Sequence, residues 1–252
     1  MKIGVLALQG DFAEHVETLH RIGVEGVEVR LPRDLEGISG LILPGGESTT
    51  IRKLIDRWRL REPIERLAGE RAPLLGTCAG MILLAARITD GDEPVLPLLD
   101  VDVKRNAFGR QLDSFEADLD VPLLGERPVH GIFIRAPIVE RVGPAVEVLS
   151  RLDDGRVVAV RHHNVIATAF HPELAGETRF HRLLATLAAD HDEPGEGAGR
   201  RRHPLRRVAH GAADAAPGER GAADAAPGEH GAADAAPGER GPALGRSGEA
   251  RP

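Results

Sequence analysis

Residues 1–190 predict an α/β fold built on a doubly wound, mostly parallel sheet. Short apolar runs, such as residues 2–8 and 40–43, lack polar alternation, which is typical of strands that are covered on both faces. Between these runs lie segments whose apolar residues recur at helical spacing, as at 11–22 and 177–189. Strands that alternate with helices indicate a sheet whose functional sites lie at the carboxyl ends of the strands.

The predicted strands are the segments rich in Val, Ile and Leu that are bounded by polar or glycine breaks. In chain order they span residues 2–8, 27–31, 40–43, 74–75, 101–104, 133–134, 146–149, 157–160 and 165–169. The predicted helices span residues 11–22, 51–58, 62–68, 81–86 and 177–189. One face of the first helix is apolar, with Phe12, Val16, Leu19 and Ile22. We place His15 and His20 on the solvated sides of that helix.

The composition changes abruptly after His191. Three large aliphatic residues remain, and three ten-residue repeats span 211–220, 221–230 and 231–240. Such a segment cannot bury enough apolar surface to offset the entropy of ordering it. The sequence therefore predicts one folded domain at 1–190 and a disordered low-complexity tail at 191–252.

Bulk properties exclude several classes of protein. The net charge of -7 gives no case for nucleic-acid binding, and no apolar run is long enough to span a membrane. A single cysteine excludes an intramolecular disulfide and fits a reducing compartment, so we expect a cytoplasmic protein. The sequence contains no phosphate-binding loop and no plausible zinc spacing, and we expect neither a metal nor a cofactor.

The only cysteine lies in a nucleophile elbow. Cys78 stands in the segment Gly-Thr-Cys-Ala-Gly, directly after a short apolar strand. The flanking glycines are expected to permit a sharp turn and to leave room for a substrate over the thiol. The N-terminus of the helix that follows would favour the reactive thiolate.

A base and its orienting carboxylate are predicted far downstream. His171 follows the strand at 165–169, and the proline after it disfavours helical geometry. In an extended segment, residues two apart share a face, so Glu173 can reach one ring nitrogen of His171 while the other faces Cys78. Taken singly, a buried cysteine and a His-Pro-Glu turn are ordinary structural features. Together, at the ends of two strands, they favour a Cys-His-Glu triad.

The Gly-Gly pair after the strand at 40–43 could supply an oxyanion donor. Gly46 offers a backbone N–H with no side chain in the way, and Ala79 offers a second N–H beside the nucleophile. An ordinary turn is the alternative for this segment taken alone.

These segments resemble the class I, triad-type glutamine amidotransferases, and in particular the glutaminase subunit of pyridoxal 5'-phosphate synthase. The resemblance covers residues 1–190, and the repeat tail departs from it. The matching segments span residues 8–10, 43–50, 76–80, 105–111, 113–118, 133–137 and 170–174.

The resemblance implies that L-glutamine is hydrolysed to glutamate and ammonia. The ammonia would pass to a separate (β/α)8-barrel synthase subunit that makes pyridoxal 5'-phosphate. Cys78 would be the nucleophile, His171 the base and acid, and Glu173 its orienting group. The residues implied to bind glutamine are Gly46, Glu47, Ser48, Arg105, Ile134 and Arg135. Gln9 and Gly10 would lie at the interface with the synthase and help to organise the oxyanion loop.

Two alternatives stay open at this point. One is a glutaminase subunit of another pathway, such as the histidine-pathway enzyme, which also joins a barrel. The segment at 105–111 argues against it. The other is a non-catalytic interaction protein with the same fold, against which the presence of all three triad residues argues.

Overall fold

The computed structural model describes residues 1–105 and 114–192. Within these ranges the helices are α1 (Phe12–Arg21), α2 (Ser48–Arg57), α3 (Arg61–Gly69), α4 (Ala79–Leu84) and α5 (Arg179–Asp192). The strands are β1 (Lys2–Leu6), β2 (Glu25–Val29), β3 (Gly40–Leu43), β4 (Leu74–Thr77), β5 (Ala85–Ile88), β6 (Leu99–Lys104), β7 (Ser114–Leu119), β8 (Val129–Ile134), β9 (Ile138–Val142), β10 (Glu147–Arg151), β11 (Val157–His162) and β12 (Val165–Thr168).

The main sheet has the strand order β2-β1-β3-β4-β12-β11-β9-β6-β5, with β10 paired to β11. The five strands from β2 to β12 are parallel to their neighbours, and so is the pair β5–β6. Strand β11 is antiparallel to β9, β10 and β12, and β9 is antiparallel to β6. The predicted α/β class is therefore confirmed, with a mixed sheet whose parallel half contains the first strand of the chain.

The parallel half of the sheet positions the site. Strands β1, β3, β4 and β12 are consecutive neighbours that point the same way, so their carboxyl ends meet at one edge. The loops that leave this edge carry Gln9, Gly46, Cys78 and His171. All four strands are almost wholly buried, which explains their continuous apolar sequences.

A separate antiparallel hairpin, β7–β8, packs beside this edge. Phe133 of β8 stacks on Phe115 of β7 and contacts Phe170, whose ring in turn meets Phe180 of α5. Phe133, Phe170 and Phe180 are fully buried next to the segment that carries the predicted base, and Phe115 is partly buried. Aromatic burial thus joins the hairpin to the sheet at the candidate site.

Several element boundaries differ from the predictions for local reasons. Helix α2 begins at Ser48 rather than at 51, because the Glu47 carboxylate accepts hydrogen bonds from the N–H groups of Thr49 (3.1 Å) and Thr50 (2.7 Å) and caps the helix. The helix predicted at 81–86 ends at Leu84, and the chain enters β5 at once. Helix α5 runs to Asp192, two residues past the predicted domain limit at 190.

The placement of His15 on a solvated side of α1 was wrong. Its side chain is fully buried, whereas His20 is exposed as predicted. Strands β5, β7 and β9 were not predicted at all, because each is short or only partly buried and lacks a long apolar run.

Two predictions lie outside the described residues. They are the part of the 105–111 motif that follows Arg105, and the tail with its three repeats from residue 193 onward. Within the described ranges, no helix is both long and apolar enough to cross a membrane.

Candidate active site

Cys78 occupies a strained turn between β4 and α4. Its backbone has φ 48° and ψ −102°, a combination that residues other than glycine seldom adopt. The turn is held by a hydrogen bond of 2.8 Å from the Cys78 N–H to the carbonyl of Thr168 in β12. Strain that is held by neighbouring structure is typical of a functional position.

The two glycines of the elbow serve packing rather than substrate access. A Cβ on Gly80 would lie 2.0 Å from the carbonyl oxygen of Leu43, and one on Gly76 would lie 2.7 Å from the carbonyl carbon of Gly80. Neither glycine has a positive φ or lines the cavity described below. They let α4 approach β3 and β4 closely, and the nucleophile itself carries the left-handed turn. The expectation that they leave room over the thiol was therefore wrong.

His171 is extended and paired with Glu173, as predicted. Its N–H donates to the carbonyl of Ile132 in β8 (2.8 Å), which fixes the backbone in a short antiparallel bridge. Its Nδ1 lies 2.7 Å from Glu173 Oε1, and both residues are buried. This leaves Nε2 of the ring as the nitrogen free to act on Cys78.

The electrostatics of the site favour the ionised forms of both His171 and Glu173. Burial lowers the pKa of His171, but hydrogen bonds to Cys78 and Glu173 and their charges outweigh burial and raise that pKa to about 10. Burial raises the pKa of Glu173, but the charges and hydrogen bonds of His15 and His171 hold it well below its usual range. His171 is therefore held as an imidazolium beside Cys78.

Two residues near His171 were missed by the sequence analysis. Asp11 Oδ2 lies 3.4 Å from His171 Nδ1, and burial is the main cause that raises the Asp11 pKa. Asp11, His171 and Glu173 offer three ligand atoms within 4.8 Å of one another. However, His171 Nδ1 contacts both carboxylates directly, so these contacts explain the group without a metal ion.

His15 is the second residue that was missed. Its Nε2 lies 3.1 Å from Thr77 Oγ1 and 3.4 Å from Glu173 Oε1, and its Nδ1 lies 2.8 Å from His181 Nε2. The signal was available, because residue 15 is three positions after Phe12 and four before Leu19, on the apolar face of α1. The prediction placed His15 in solvent because histidine is polar, without considering its position on the apolar face of the helix.

The predicted oxyanion loop and the Gln9-Gly10 segment are in contact. Gln9 Oε1 accepts a hydrogen bond of 2.6 Å from the Glu47 N–H. Gly10 has φ 99°, and a Cβ there would lie 1.8 Å from the carbonyl oxygen of Gly45. Gly46, at φ 148°, leaves no room for a side chain against Gln9 Oε1. The two loops therefore pack backbone to backbone, which only glycine allows.

A cavity of about 140 Å³ opens over Cys78. It is lined by Gly46, Glu47, Ser48, Cys78, Ala79, Ile82, Asp90, Arg105, Ile134 and Arg135. The structure thus brings the predicted glutamine-binding residues together with Cys78 and Ala79, and adds Ile82 and Asp90. The Cys78 thiol also lies 3.7 Å from the carbonyl oxygen of Ile134, to which it donates.

The cationic side of the cavity is held by ion pairs. Arg105 Nε donates to Asp90 Oδ2 (2.9 Å), and its Nη1 donates to Asp92. These aspartates are the main cause that raises the Arg105 pKa. Arg135 stands at φ 44°, a left-handed conformation, directly after Ile134. Two arginines in the lining suit a substrate that carries a carboxylate.

A family model decides the identity. The model of the SNO glutamine amidotransferase family matches residues 5–188. The chain belongs to this family. Membership confirms the resemblance and the enzyme class read from the motifs, a glutaminase.

Individual relatives agree with the family. The chain is 56% identical to the pyridoxal 5'-phosphate synthase subunit PdxT of Herpetosiphon aurantiacus, over 74% of this chain and 100% of that protein. It is 55% identical to the PdxT subunit of Moorella thermoacetica, over 74% of this chain and 99% of that one. A crystal structure of a glutamine amidotransferase, 50% identical, matches with a TM-score of 0.70 over 74% of this chain and 98% of that chain.

Proposed function

We propose that this chain hydrolyses L-glutamine through a Cys78-His171-Glu173 triad and supplies the ammonia to a synthase subunit that makes pyridoxal 5'-phosphate. One observation carries the proposal. The three triad residues converge where β4 and β12 end, beside a cavity lined by the residues that the resemblance assigns to glutamine.

The chemistry starts at Cys78. The thiolate attacks the carbon of the glutamine side-chain amide, and the amide oxygen becomes an oxyanion. The backbone N–H groups of Gly46 and Ala79, both in the cavity lining, hold that oxyanion. His171 gives its proton to the departing nitrogen, so ammonia leaves and a thioester remains.

Water completes the turnover. Neutral His171 takes a proton from a water molecule, which attacks the thioester and releases glutamate. Glu173 stays ionised throughout, since its depressed pKa disfavours protonation, and it stabilises the imidazolium in each half of the cycle.

Substrate binding falls to the residues around the cavity mouth. Arg105 and Arg135 bind the α-carboxylate of glutamine, and Glu47, Ser48 and Ile134 complete the pocket. The Glu47 carboxylate already caps α2, so it holds the start of that helix as well as lining the cavity. The missed residue Asp90 keeps Arg105 in place and offers a carboxylate for the α-amino group.

The partner is a (β/α)8-barrel synthase subunit, and Gln9 and Gly10 lie at its interface in the cytoplasm. Gln9 supports this role because its side chain bonds the N–H of Glu47, next to the oxyanion donor at Gly46. A partner that contacts Gln9 can therefore set the orientation of the Gly46 peptide. One misplaced oxyanion donor costs roughly 10² to 10³ in turnover.

The test is ammonia release from glutamine by the full chain, alone and with the barrel subunit from the same organism. Low turnover alone and higher turnover in the complex are expected. A Gln9→Ala variant that still binds the barrel but is not activated would support this route. Equal turnover in both conditions would refute activation by the partner, and activation by the histidine-pathway barrel alone would favour that other pathway. No ammonia release in any condition would favour a non-catalytic role.

A further inference from the structure

Two buried histidines lie next to the triad carboxylate, and the chemistry above does not use them. His15 on α1 and His181 on α5 are both fully buried, and their rings meet through Nδ1 of His15 and Nε2 of His181 at 2.8 Å. The two residues are 166 positions apart in the chain. A contact between imidazoles that the fold brings together in this way needs a reason, since burying polar groups is costly.

The other edge of the His15 ring faces the catalytic groups. Its Nε2 is hydrogen-bonded to Thr77 Oγ1 (3.1 Å) and lies 3.4 Å from Glu173 Oε1, within ion-pair distance. The same Glu173 oxygen accepts from His171 Nδ1 at 2.7 Å. Glu173 Oε2 is buried and has no hydrogen-bond partner among the described residues. Glu173 Oε1 therefore contacts the imidazoles of both His15 and His171, and these side-chain contacts hold Glu173 in place.

The positions of the ring protons follow from His181, the histidine that contacts His15 on the side away from Glu173. His181 is neutral, because burial above all lowers its pKa to about 3. Its Nδ1 is buried without a partner among the described residues. A proton on that nitrogen would leave a buried N–H with no acceptor, which costs more than a bare nitrogen. His181 therefore carries its proton on Nε2 and donates it to His15 Nδ1.

The tautomer of His15 is then fixed. A ring that accepts at Nδ1 holds its proton on Nε2, the nitrogen that faces Thr77 and Glu173. This tautomer places a second N–H group next to the Glu173 carboxylate, in addition to that of His171. It also ties the carboxylate to Thr77, the residue directly before the nucleophile.

We propose that His15 is a positioning residue of the triad, whose Nε2–H holds Glu173 Oε1 in the orientation that aligns His171, and that His181 sets the tautomer in which His15 can do so. This inference deepens the proposed function and rests on it where turnover is concerned. Neither ring lines the cavity, so neither touches the substrate.

The first test reads the protons directly and needs no activity. The full chain is labelled with ¹⁵N-histidine, the ring signals are assigned with single variants, and the shifts identify the tautomers. We expect a proton on Nε2 of His15 and on Nε2 of His181. A bare Nε2 on His15 would overturn the proposal whatever reaction the protein catalyses.

The second test separates positioning from packing. His15→Leu removes the donor, while His15→Gln can present an amide N–H near the place of Nε2; His20→Leu is the matched control on the exposed side of α1. In the complex with the barrel, His15→Leu is expected to lower kcat about 10- to 100-fold, the range of a hydrogen bond to a charged group, with KM for glutamine unchanged. His15→Gln is expected to recover most of that loss.

The same variants are compared by alkylation of Cys78 with iodoacetamide, which needs no glutamine turnover. Because the chain has one cysteine, the rate reports this thiol alone. Slower alkylation in His15→Leu, restored in His15→Gln, supports the proposal even if the natural substrate is not glutamine. Wild-type kcat and alkylation in both variants, or equal losses in the two with a lowered melting temperature, would reduce His15 to a packing residue and overturn the proposal.

Discussion

The base and the rim of the cavity are built in different ways. As the base we group Cys78 and Gly46, which line the cavity, with Gly45, His171 and Glu173; the three side chains of the proposed triad are at most 7% exposed. Buried hydrogen bonds and close backbone contacts hold it, and a Cβ on Gly45 would lie only 2.2 Å from the ring of His171. Small changes at the base should therefore be costly.

The rim consists of Glu47, Asp90, Arg105, Ile134 and Arg135. Ile134 is 38% exposed, and the Arg105–Asp90 pair lies where water screens it. Such ion pairs contribute little to stability, typically up to about 1 kcal/mol. From this difference we expect the base to determine the rate of the chemical step and the rim to determine how tightly the substrate binds.

The largest effect is expected at the nucleophile. Cys78→Ala should remove glutaminase activity and keep the fold, because the thiol carries the chemistry and alanine fits a site already filled by a small side chain. Loss of a nucleophile costs on the order of 10³ to 10⁶ in rate. Ammonia release measures the loss and circular dichroism the fold; activity within tenfold of wild type would contradict the triad.

The next effects are expected at the other two residues of the base. His171→Ala should lower kcat at least tenfold more than Glu173→Gln, because the imidazole transfers protons whereas the carboxylate orients it. Steady-state kinetics in the complex gives both values. If Glu173→Gln equals wild type at every pH, the catalytic unit reduces to a Cys-His dyad.

The base can also be disturbed through the backbone alone. Gly45→Ala is expected to destabilise the protein by roughly 1–3 kcal/mol, because its Cβ would overlap the buried His171 ring, and to lower kcat as that ring shifts. The matched control is Gly69→Ala at the end of α3, where no atom lies within 4 Å of the added Cβ. Urea unfolding compares the two variants, and an equal effect would show that the overlap does not matter.

The difference between the base and the rim also explains which parts of the candidate site could be predicted from the sequence. The base lies on strand ends, and continuous apolar runs before Gly45 and Cys78 made both strands visible. His171 and Glu173 were recognisable because two residues in an extended segment share a face. The placement of these residues at the candidate site was therefore predictable from local pattern.

Contacts across the fold were not predictable in this way. Asp90 reaches the rim through its pairing with Arg105, and His15 meets His181 only because α1 and α5 both pack at the same place. The glycines of the elbow were assigned the wrong purpose, since only the packed structure reveals the Leu43 carbonyl against Gly80. Single-residue reasoning also placed His15 in solvent, although its position on the helix face pointed inward.

A smaller effect is expected at His181, and it tests whether the buried base of the cavity includes this residue. Because the pKa of His181 is lowered to about 3, the unfolded chain binds a proton there below about pH 6.5 and the folded chain does not. The wild type should therefore lose stability as the pH falls from 6.5, by on the order of 2 kcal/mol at pH 5. His181→Phe should show a shallower pH dependence in urea unfolding, and His20→Phe on the exposed side of α1 should keep the wild-type slope. Identical slopes in all three proteins would show that His181 is not held neutral.

The smallest effect is expected at the rim. Arg105→Lys keeps the charge but loses the planar fork that contacts Asp90 and Asp92, so the side chain is no longer fixed over the cavity. KM for glutamine should rise about tenfold, the size of one lost charged hydrogen bond, while kcat stays within about twofold. Arg87→Lys is the control, since Arg87 also pairs with an aspartate, Asp102, but does not line the cavity. A fall in kcat equal to the rise in KM would place Arg105 with the base and would remove the division between the two regions.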